Sequence, residues 1–311
     1  MTWSYSEHQL FKKCPRKWFF KSIFADSRAN DPQRQEAYLL SKMQSLYAWR
    51  GQVVESAIQD FLIPSLDVDL QPTLQDTIKV AKETFDEQLA FGRNHRIRET
   101  GMTIKQAGKA FAAFTELEYG QPISDRDYQQ AWEEVHTALR NFYKQTELKT
   151  LLKAGAYRVT QRTLQLKHFG ATVRAVPDLI VFFNDRPPLI VDWKVHTFGI
   201  HDYADQLAIY AVALARVKPH ADYGRYARGW RETEIELREA QLLRGFVRQH
   251  SLEDSDVAEV DDQMAAGVIA LREACGGKRS CELHSEDFPT AHDPQTCQTC
   301  QYRKICWSSD S

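Results

Sequence analysis

The sequence predicts an α/β (α+β) protein, with a mixed central sheet flanked by helices. Three observations carry this reading. Strand-like runs rich in Val, Ile, Leu and Phe cluster between residues 157 and 195. Helix-period segments lie on both sides of that cluster. The stretch 73–153, ahead of the strands, is charged, Ala-rich and periodic at the helical spacing.

In chain order, "SYSEHQLFKKCPRKWFF" (4–20) opens with Ser4 as a helix cap and places Leu10, Phe11, Cys14 and Trp18 at helical spacing. "WRGQVVESAIQDF" (49–61) and "DYQQAWEEVHTALRNFYKQTELKTLL" (127–152) are also helical in period. Strands follow in "YRVTQRTLQLKHFG" (157–170), "ATVRAVPDLIVFFN" (171–184) and "PLIVDWKV" (188–195). The last two are joined by the turn-rich "NDRPP" (184–188). A helix is expected in "DYADQLAIYAVALARV" (202–217), a further pair of strands in "YGRYARGWRETEIELRE" (223–239), and a charged helix over 250–273. No repeat and no low-complexity linker interrupts the chain.

With 311 residues the chain is long enough for a substantial core. Its net charge of −2 excludes a global basic field that would advertise a polyanion partner. Two local runs differ: "FKKCPRKWFFK" (11–21) holds five Lys/Arg and no acid, and "RNHRIR" (93–98) is a second basic cluster. Such runs are most often solvated faces. The segment before Lys12 lacks a signal-type apolar core, and no 18-residue apolar stretch follows, so a soluble, cytoplasmic protein is expected.

In that compartment the six cysteines are expected to be thiols or metal ligands. Two groupings compete. One joins Cys297, Cys300 and Cys306 to the distant Cys14; the other joins Cys275 and Cys281 to Cys297 and Cys300 at a zinc-ribbon spacing. Spacing alone does not separate them.

The chemistry-bearing signal lies in the strands. Asp192 and Lys194 stand at i and i+2, hence on one face of a strand otherwise fit for a core. Asp178 sits in the preceding strand, where antiparallel pairing brings it within about 5 Å of Asp192. Two buried carboxylates raise each other's pKa unless a divalent cation lies between them. The bland alternative is a buried Asp–Lys ion pair with no chemistry. Gln206 and Tyr210, at i and i+4, share one face of the next helix.

Together "VPDLIV" with Asp178, "IVDWK" with Asp192 and Lys194, and "QLAIY" with Gln206 and Tyr210 resemble the PD-(D/E)XK nuclease superfamily. Within it they look like the RecB-like branch that carries an iron–sulfur cluster, as in the AddB nuclease domain and CRISPR-adaptation nucleases. "SYSEHQLFKKCPRKWFFK" and "FPTAHDPQTCQTCQYRKICW" are similar to that branch's opening and closing segments.

The resemblance implies a restriction-endonuclease-like core in a single nuclease domain. Its parts are an N-terminal helical segment (1–60), a helical insertion or cap (61–153), a catalytic core (154–250) and a C-terminal helix with an iron–sulfur subdomain (251–311). It implies a [4Fe–4S] cluster on Cys14, Cys297, Cys300 and Cys306, which leaves Cys275 and Cys281 spare. Cluster binding would then close a loop of about 280 residues, at roughly 5 kcal/mol of chain entropy. It implies Mg²⁺ or Mn²⁺ held by Asp178 and Asp192 with the Trp193 carbonyl, Lys194 positioning a water, and Gln206 and Tyr210 orienting substrate or lysine.

The family's histidine ligand in a Gly-x-x-x-His context is replaced here by Glu55 after Gly51. An oxygen donor suits Mg²⁺ or Mn²⁺ at least as well. The implied function is a metal-dependent DNase, with single-stranded DNA as substrate and helicase or CRISPR/defence proteins as partners. The basic, aromatic 11–21 and "YGRYARGW" (223–230) segments are then expected to track a strand. A non-catalytic DNA-binding or assembly module, and an RNA-processing nuclease, are the alternatives.

Overall fold

A computed structural model of the chain describes residues 1–97, 104–196, 203–226 and 229–308. Arg98 of the second basic run, Ala227 and Arg228 of "YGRYARGW", and Asp202 at the start of the expected helix lie outside them. The chain forms two compact units. The first comprises Met1–Thr2, Tyr47–Phe85 and Asp125–Ala265; the second comprises Trp3–Leu46, Asp86–Ser124 and Ala266–Ser311.

The strands are β1 (Thr2–Trp3), β2 (Tyr157–Thr160), β3 (Leu164–His168), β4 (Ala171–Ala175), β5 (Leu179–Phe182), β6 (Leu189–Lys194), β7 (Glu236–Gln241) and β8 (Phe246–His250). In the first unit, β2, β5, β6, β7 and β8 form one sheet in the order β2-β5-β6-β7-β8. All pairings are antiparallel except β6 with β7, which run parallel. A parallel pair needs a crossover, and the helix Ala204–Arg216 supplies it. Seven consecutive residues of that helix, Leu207 to Ala213, are buried, so it is covered on all sides. β5 is buried at every position, as expected for an interior strand covered on both faces.

The strand run 157–170 is broken where Gln161 adopts φ +50, and so yields β2 and the separate hairpin β3–β4. Inward residues Leu164, Leu166, Ala171, Val173 and Ala175 are buried. Helix Asp125–Lys144 buries Tyr128, Ala131, Val135, Ala138, Leu139 and Phe142 along one stripe. The Phe142 ring meets Trp193 edge-on at 5.7 Å. From the same helix Asn141 Nδ2 donates to the Leu242 carbonyl (2.9 Å), and just past its end Gln145 Nε2 donates to that of Gly245 (2.7 Å), which pins the β7–β8 turn.

The expected strand pair over 223–239 is corrected. That segment forms 3₁₀ turns at Ala221–Tyr226 and Glu232–Glu234 and contributes one strand, β7, whose partner β8 lies beyond it. The charged helix runs Asp254–Cys275, because Phe246–His250 pairs as a strand first.

In the second unit, helix Tyr5–Lys13 is capped by Ser4, whose Oγ accepts from Glu7 N (3.3 Å). It stops at Cys14, whose backbone is extended and whose Sγ accepts from Lys17 N (3.4 Å) to cap the next helix, Pro15–Phe19. The aromatic side chains that follow are core. Phe19 stacks on Phe288 at 5.1 Å, Phe20 stacks on Tyr302 at 5.7 Å, and Trp18 packs on Phe288 at 5.7 Å. Arg16 fastens the same junction, its N and Nε donating to the Pro289 and Phe288 carbonyls. The expectation that the aromatics of 11–21 stack on bases is therefore corrected for Trp18, Phe19 and Phe20, which are buried. Among the described residues no helix is long and apolar enough to cross a membrane.

Tight packing behind β5 gives a test of the first unit. A Cβ on Gly155 would lie 2.4 Å from Val181 Cγ1. Gly155→Ala is expected to destabilise the protein by about 1–3 kcal/mol, read as a lower urea midpoint; an unchanged midpoint would show that β5 is looser than described.

Candidate active site

The ladders of the five-stranded sheet bring polar residues into one row. Val191 pairs with Leu179, so the next step sets Asp192 opposite Asp178, which directly precedes β5. Asp192 is the partner of Glu239, and Glu239 of Arg248. Gln161 continues the row beyond Asp178, its N–H donating to the Asp178 carbonyl (3.2 Å). Directly paired residues share a face, so Gln161, Asp178, Asp192, Glu239 and Arg248 line one side of the sheet. Lys194 and its partner Gln241 form the adjacent row.

Asp192 is 1% exposed. Its Oδ2 forms an ion pair with Lys194 Nζ but lacks a hydrogen bond of good geometry. Asp178 is aimed by two donors at 2.9 Å, Trp193 N on Oδ2 and Gln161 Nε2 on Oδ1. The Trp193 peptide thus meets Asp178 through its N–H. From the crossover helix, Gln206 connects three members of the site. Its Oε1 accepts from Lys194 Nζ (3.2 Å), and its Nε2 donates to the Tyr210 hydroxyl (2.5 Å) and to Asp192 Oδ1 (3.5 Å). The Lys194 ammonium also sits over the Tyr203 ring, 4.2 Å from its centroid.

Glu55 is the last residue but one of the helix Leu46–Ser56, which leads into a π-helical turn, Ala57–Leu62. Arg50 of that helix is buried, pairs with Glu134 and donates to the Val195 carbonyl (3.4 Å) just past β6.

The electrostatics show that the carboxylates feel one another. Burial, then Asp178 and Asp192, push Glu55 up to about 7 against the pull of Lys194. Burial raises Asp192 to about 7; Lys194 opposes this, while Asp178 and Glu239 add to it. Asp178 is raised by burial despite its hydrogen bonds and Lys194. Burial pulls the Lys194 ammonium down, but the Asp192 and Asp178 carboxylates outweigh it and leave its pKa above the ordinary value. Tyr210 is raised by burial and by Asp192, and stays a neutral hydroxyl. Glu239 differs. Burial disfavours its charge, yet hydrogen bonds from His250 and Gln241, helped by Arg248, hold it below the usual range.

Among the described residues no three His, Cys, Asp or Glu side chains stand ready around a single ion. The donor set nonetheless fits a hard divalent cation. Three mutually repelling carboxylates, one with a buried oxygen answered by Lys194, are relieved by positive charge and supply the oxygens that Mg²⁺ and Mn²⁺ prefer.

Glu55, Asp178, Asp192, Lys194, Gln206 and Tyr210 are thus brought together. Sequence reasoning missed Gln161, Tyr203 and Glu239. Tyr203 stood in the sequence near the start of the expected helix 202–217, which the structure begins at Ala204; nothing marked the other two.

In the second unit, Cys14, Cys297, Cys300 and Cys306 line one pocket with Lys17, Tyr302 and Arg303. Cys300 Sγ accepts from Tyr302 N (3.4 Å), as Cys14 Sγ does from Lys17 N. Burial raises the Cys300 and Cys306 thiols, opposed by Lys17 and Arg16 respectively. Cys275 and Cys281 do not line the pocket. Four soft donors thus line one space, two of them accepting N–H bonds.

The raised carboxylates give stability a sign with pH. Glu55 and Asp192 hold protons in the folded state up to about pH 7 and release them near pH 4 when unfolded. Their stabilising protonation is complete below the unfolded values and is lost as pH rises through 7. Without divalent cations the melting temperature is therefore expected to fall between pH 5 and 8. Glu55→Gln should flatten that fall, and Mn²⁺ should restore stability at pH 8. A Tm insensitive to Mn²⁺ at pH 8 would count against the carboxylate cluster as a cation site.

Two comparisons with known proteins bear on this geometry. No curated protein matches the chain significantly. The sequence matches the PD-(D/E)XK nuclease superfamily over residues 2–307, nearly its whole length: the chain belongs to the PD-(D/E)XK nuclease superfamily.

Proposed function

We propose that the chain is a divalent-cation-dependent deoxyribonuclease of the RecB-like iron–sulfur branch that degrades single-stranded DNA from an end. The observation that supports it most is the convergence of Glu55, Asp178 and Asp192 on one buried site with Lys194 among them. These carboxylates would hold Mg²⁺ or Mn²⁺, which when bound supplies an activated water and neutralises charge on the scissile phosphate.

The protein's own groups perform the rest. Gln161 and Trp193 N fix Asp178, so that its lone pairs face the site at a set angle. Gln206, anchored by Tyr210, offers Lys194 an acceptor besides Asp192. The ammonium can therefore stay at the site when Asp192 turns to a cation, free to orient water or meet developing negative charge. The buried position of Asp192 strengthens each of these interactions.

Single-stranded DNA, attack from an end, and helicase or CRISPR/defence partners belong to this reading through the branch that the chain resembles. So does a [4Fe–4S] cluster on Cys14, Cys297, Cys300 and Cys306, supported by their shared pocket.

Asp192→Asn and Lys194→Ala are expected to lower cleavage at least about 100-fold, in variants that still melt cooperatively. Their DNA affinity should stay within a few-fold of wild type, since phosphate contacts elsewhere dominate binding. Linear single-stranded DNA should disappear with Mn²⁺ while a circle of the same sequence survives. Equal loss of both would make the enzyme an endonuclease, activity on RNA alone would replace the DNA assignment, and full activity of Lys194→Ala would leave Asp192–Lys194 a structural ion pair.

For the cysteines, protein purified without oxygen is expected to be brown and to carry iron and acid-labile sulfide. Alanine at any of Cys14, Cys297, Cys300 or Cys306 should bleach it, whereas Cys275→Ala and Cys281→Ala should not. Bound zinc without sulfide would reject the cluster.

A further inference from the structure

Glu239 is a second fully buried carboxylate set directly beside Asp192. The two are ladder partners on β7 and β6, on one face of the sheet and about 5 Å apart across the parallel pair. Glu239 is 0% exposed. Two anions side by side where water scarcely reaches make each other's charge harder to keep. The same face of β7 accepts an apolar residue two positions earlier, where Leu237 is fully buried. A neutral side chain at 239 would relieve Asp192, yet the fold does the opposite.

Three side chains keep Glu239 ionised. Gln241 Nε2 donates to its Oε1 (2.5 Å), and His250 Nε2 and Arg248 Nη1 donate to its Oε2 (3.0 and 3.4 Å). These donors come from β7 itself and from β8, the strand on the far side from Asp192. Together they overcome the tendency of burial to neutralise the group. Gln241 does so at a cost, because its own Oε1 is buried without a hydrogen-bond partner. Its amide is oriented for Glu239 rather than for itself.

The order of the row says what such a charge does. Asp192 stands between Asp178 on one side and Glu239 on the other. Glu55 feels Asp178 and Asp192, so the three candidate ligands converge on the Asp178 side of Asp192. Lys194, paired with Asp192, competes with any cation for that carboxylate. Glu239 adds a negative charge from behind and tips the balance back toward the ion.

We propose that Glu239 is a positioning residue of the cation site: a fixed anion beside Asp192 that offsets Lys194 and draws a divalent ion to Glu55, Asp178 and Asp192 without touching it. The proposal rests on the nuclease reading and deepens it. Arg248, at the end of the row, is then a brake on the same effect, because it partly cancels the Glu239 charge.

The test is Mn²⁺ binding to the full-length protein, with free Mn²⁺ read by its EPR signal and each variant melted in parallel. Glu239→Gln keeps the shape and removes the charge, and is expected to bind Mn²⁺ about tenfold more weakly, the scale of a unit charge acting on a divalent ion across partly solvated protein. Glu239→Asp keeps the charge and should stay within about threefold of wild type. Arg248→Gln removes the opposing cation and should bind Mn²⁺ about two- to threefold more tightly. Loss of packing alone does not produce such a gain.

Wild-type affinity in a cooperatively melting Glu239→Gln, equal losses in the Gln and Asp variants, or no gain in Arg248→Gln would overturn the proposal. Should Glu239→Gln fail to fold, the Asp and Arg248 variants decide it. If Asp192→Asn loses Mn²⁺ while Glu239→Gln binds it as wild type does, this role fails and the cation site stands. If wild type itself binds no Mn²⁺, the nuclease reading fails as well.

Discussion

A carboxylate that water scarcely reaches, Asp192 on the middle strand of a five-stranded sheet, is the constraint around which the first unit is organised. Its charge needs an answer, and Lys194 supplies one two residues on. A buried pair of this kind contributes little stability beyond what apolar residues of similar volume would give, and often less. Asp178 and Glu239 flank it on either side and make its ionisation harder still. The surrounding donors do not relieve that load evenly. Asp178 and Glu239 are each held by two or more, whereas Asp192 keeps an oxygen whose partner is the lysine. A sheet selected for stability alone would place a valine there. The arrangement makes sense as stored affinity for positive charge, which the fold maintains at its own expense.

The second unit meets a different demand. It must join chain segments nearly 280 residues apart. Apolar packing contributes to this: Trp18, Phe19 and Phe20 bury against Phe288 and Tyr302, and Arg16 closes the junction through two backbone carbonyls. Burying a large side chain is worth about 1.5–3 kcal/mol, so a few of them meet the loop-closure entropy. The four thiols are then presented together by the protein, and two of their sulfurs already accept backbone N–H groups.

Much of this was readable in the residues. The spacing Asp-x-Lys, the Gln and Tyr one helical turn apart, and the hairpin turn before β6 are local patterns, and local patterns survive into structure. What the sequence hid depends on long-range register. Glu239 sits in "ELREAQ", which the sequence offers only as the end of an expected strand pair; the parallel pairing across the crossover places it beside Asp192. Gln161 is an ordinary polar residue until a positive φ turns its amide onto Asp178. β8, "FVRQH", was masked by the charged stretch that follows it. The aromatics of 11–21 were ambiguous for the opposite reason. Rings beside lysines serve a nucleic acid or a core equally well in composition, and only their partners 269 to 282 residues away decide for the core.

The parallel pairing of β6 with β7 also governs when the site comes into being. Hairpins form from neighbours in the chain, but this ladder waits for a crossover helix and for residues more than forty positions downstream. Glu55 joins from more than a hundred positions upstream. Residues whose closeness depends on such distant closures assemble late, after local structure has formed. During synthesis, a ribosome-bound chain that has exposed β5 and β6 holds the aspartates and the lysine but lacks Glu239 and its anchors on β8. A partly made chain therefore carries the charged residues of the site without the two strands that complete their row.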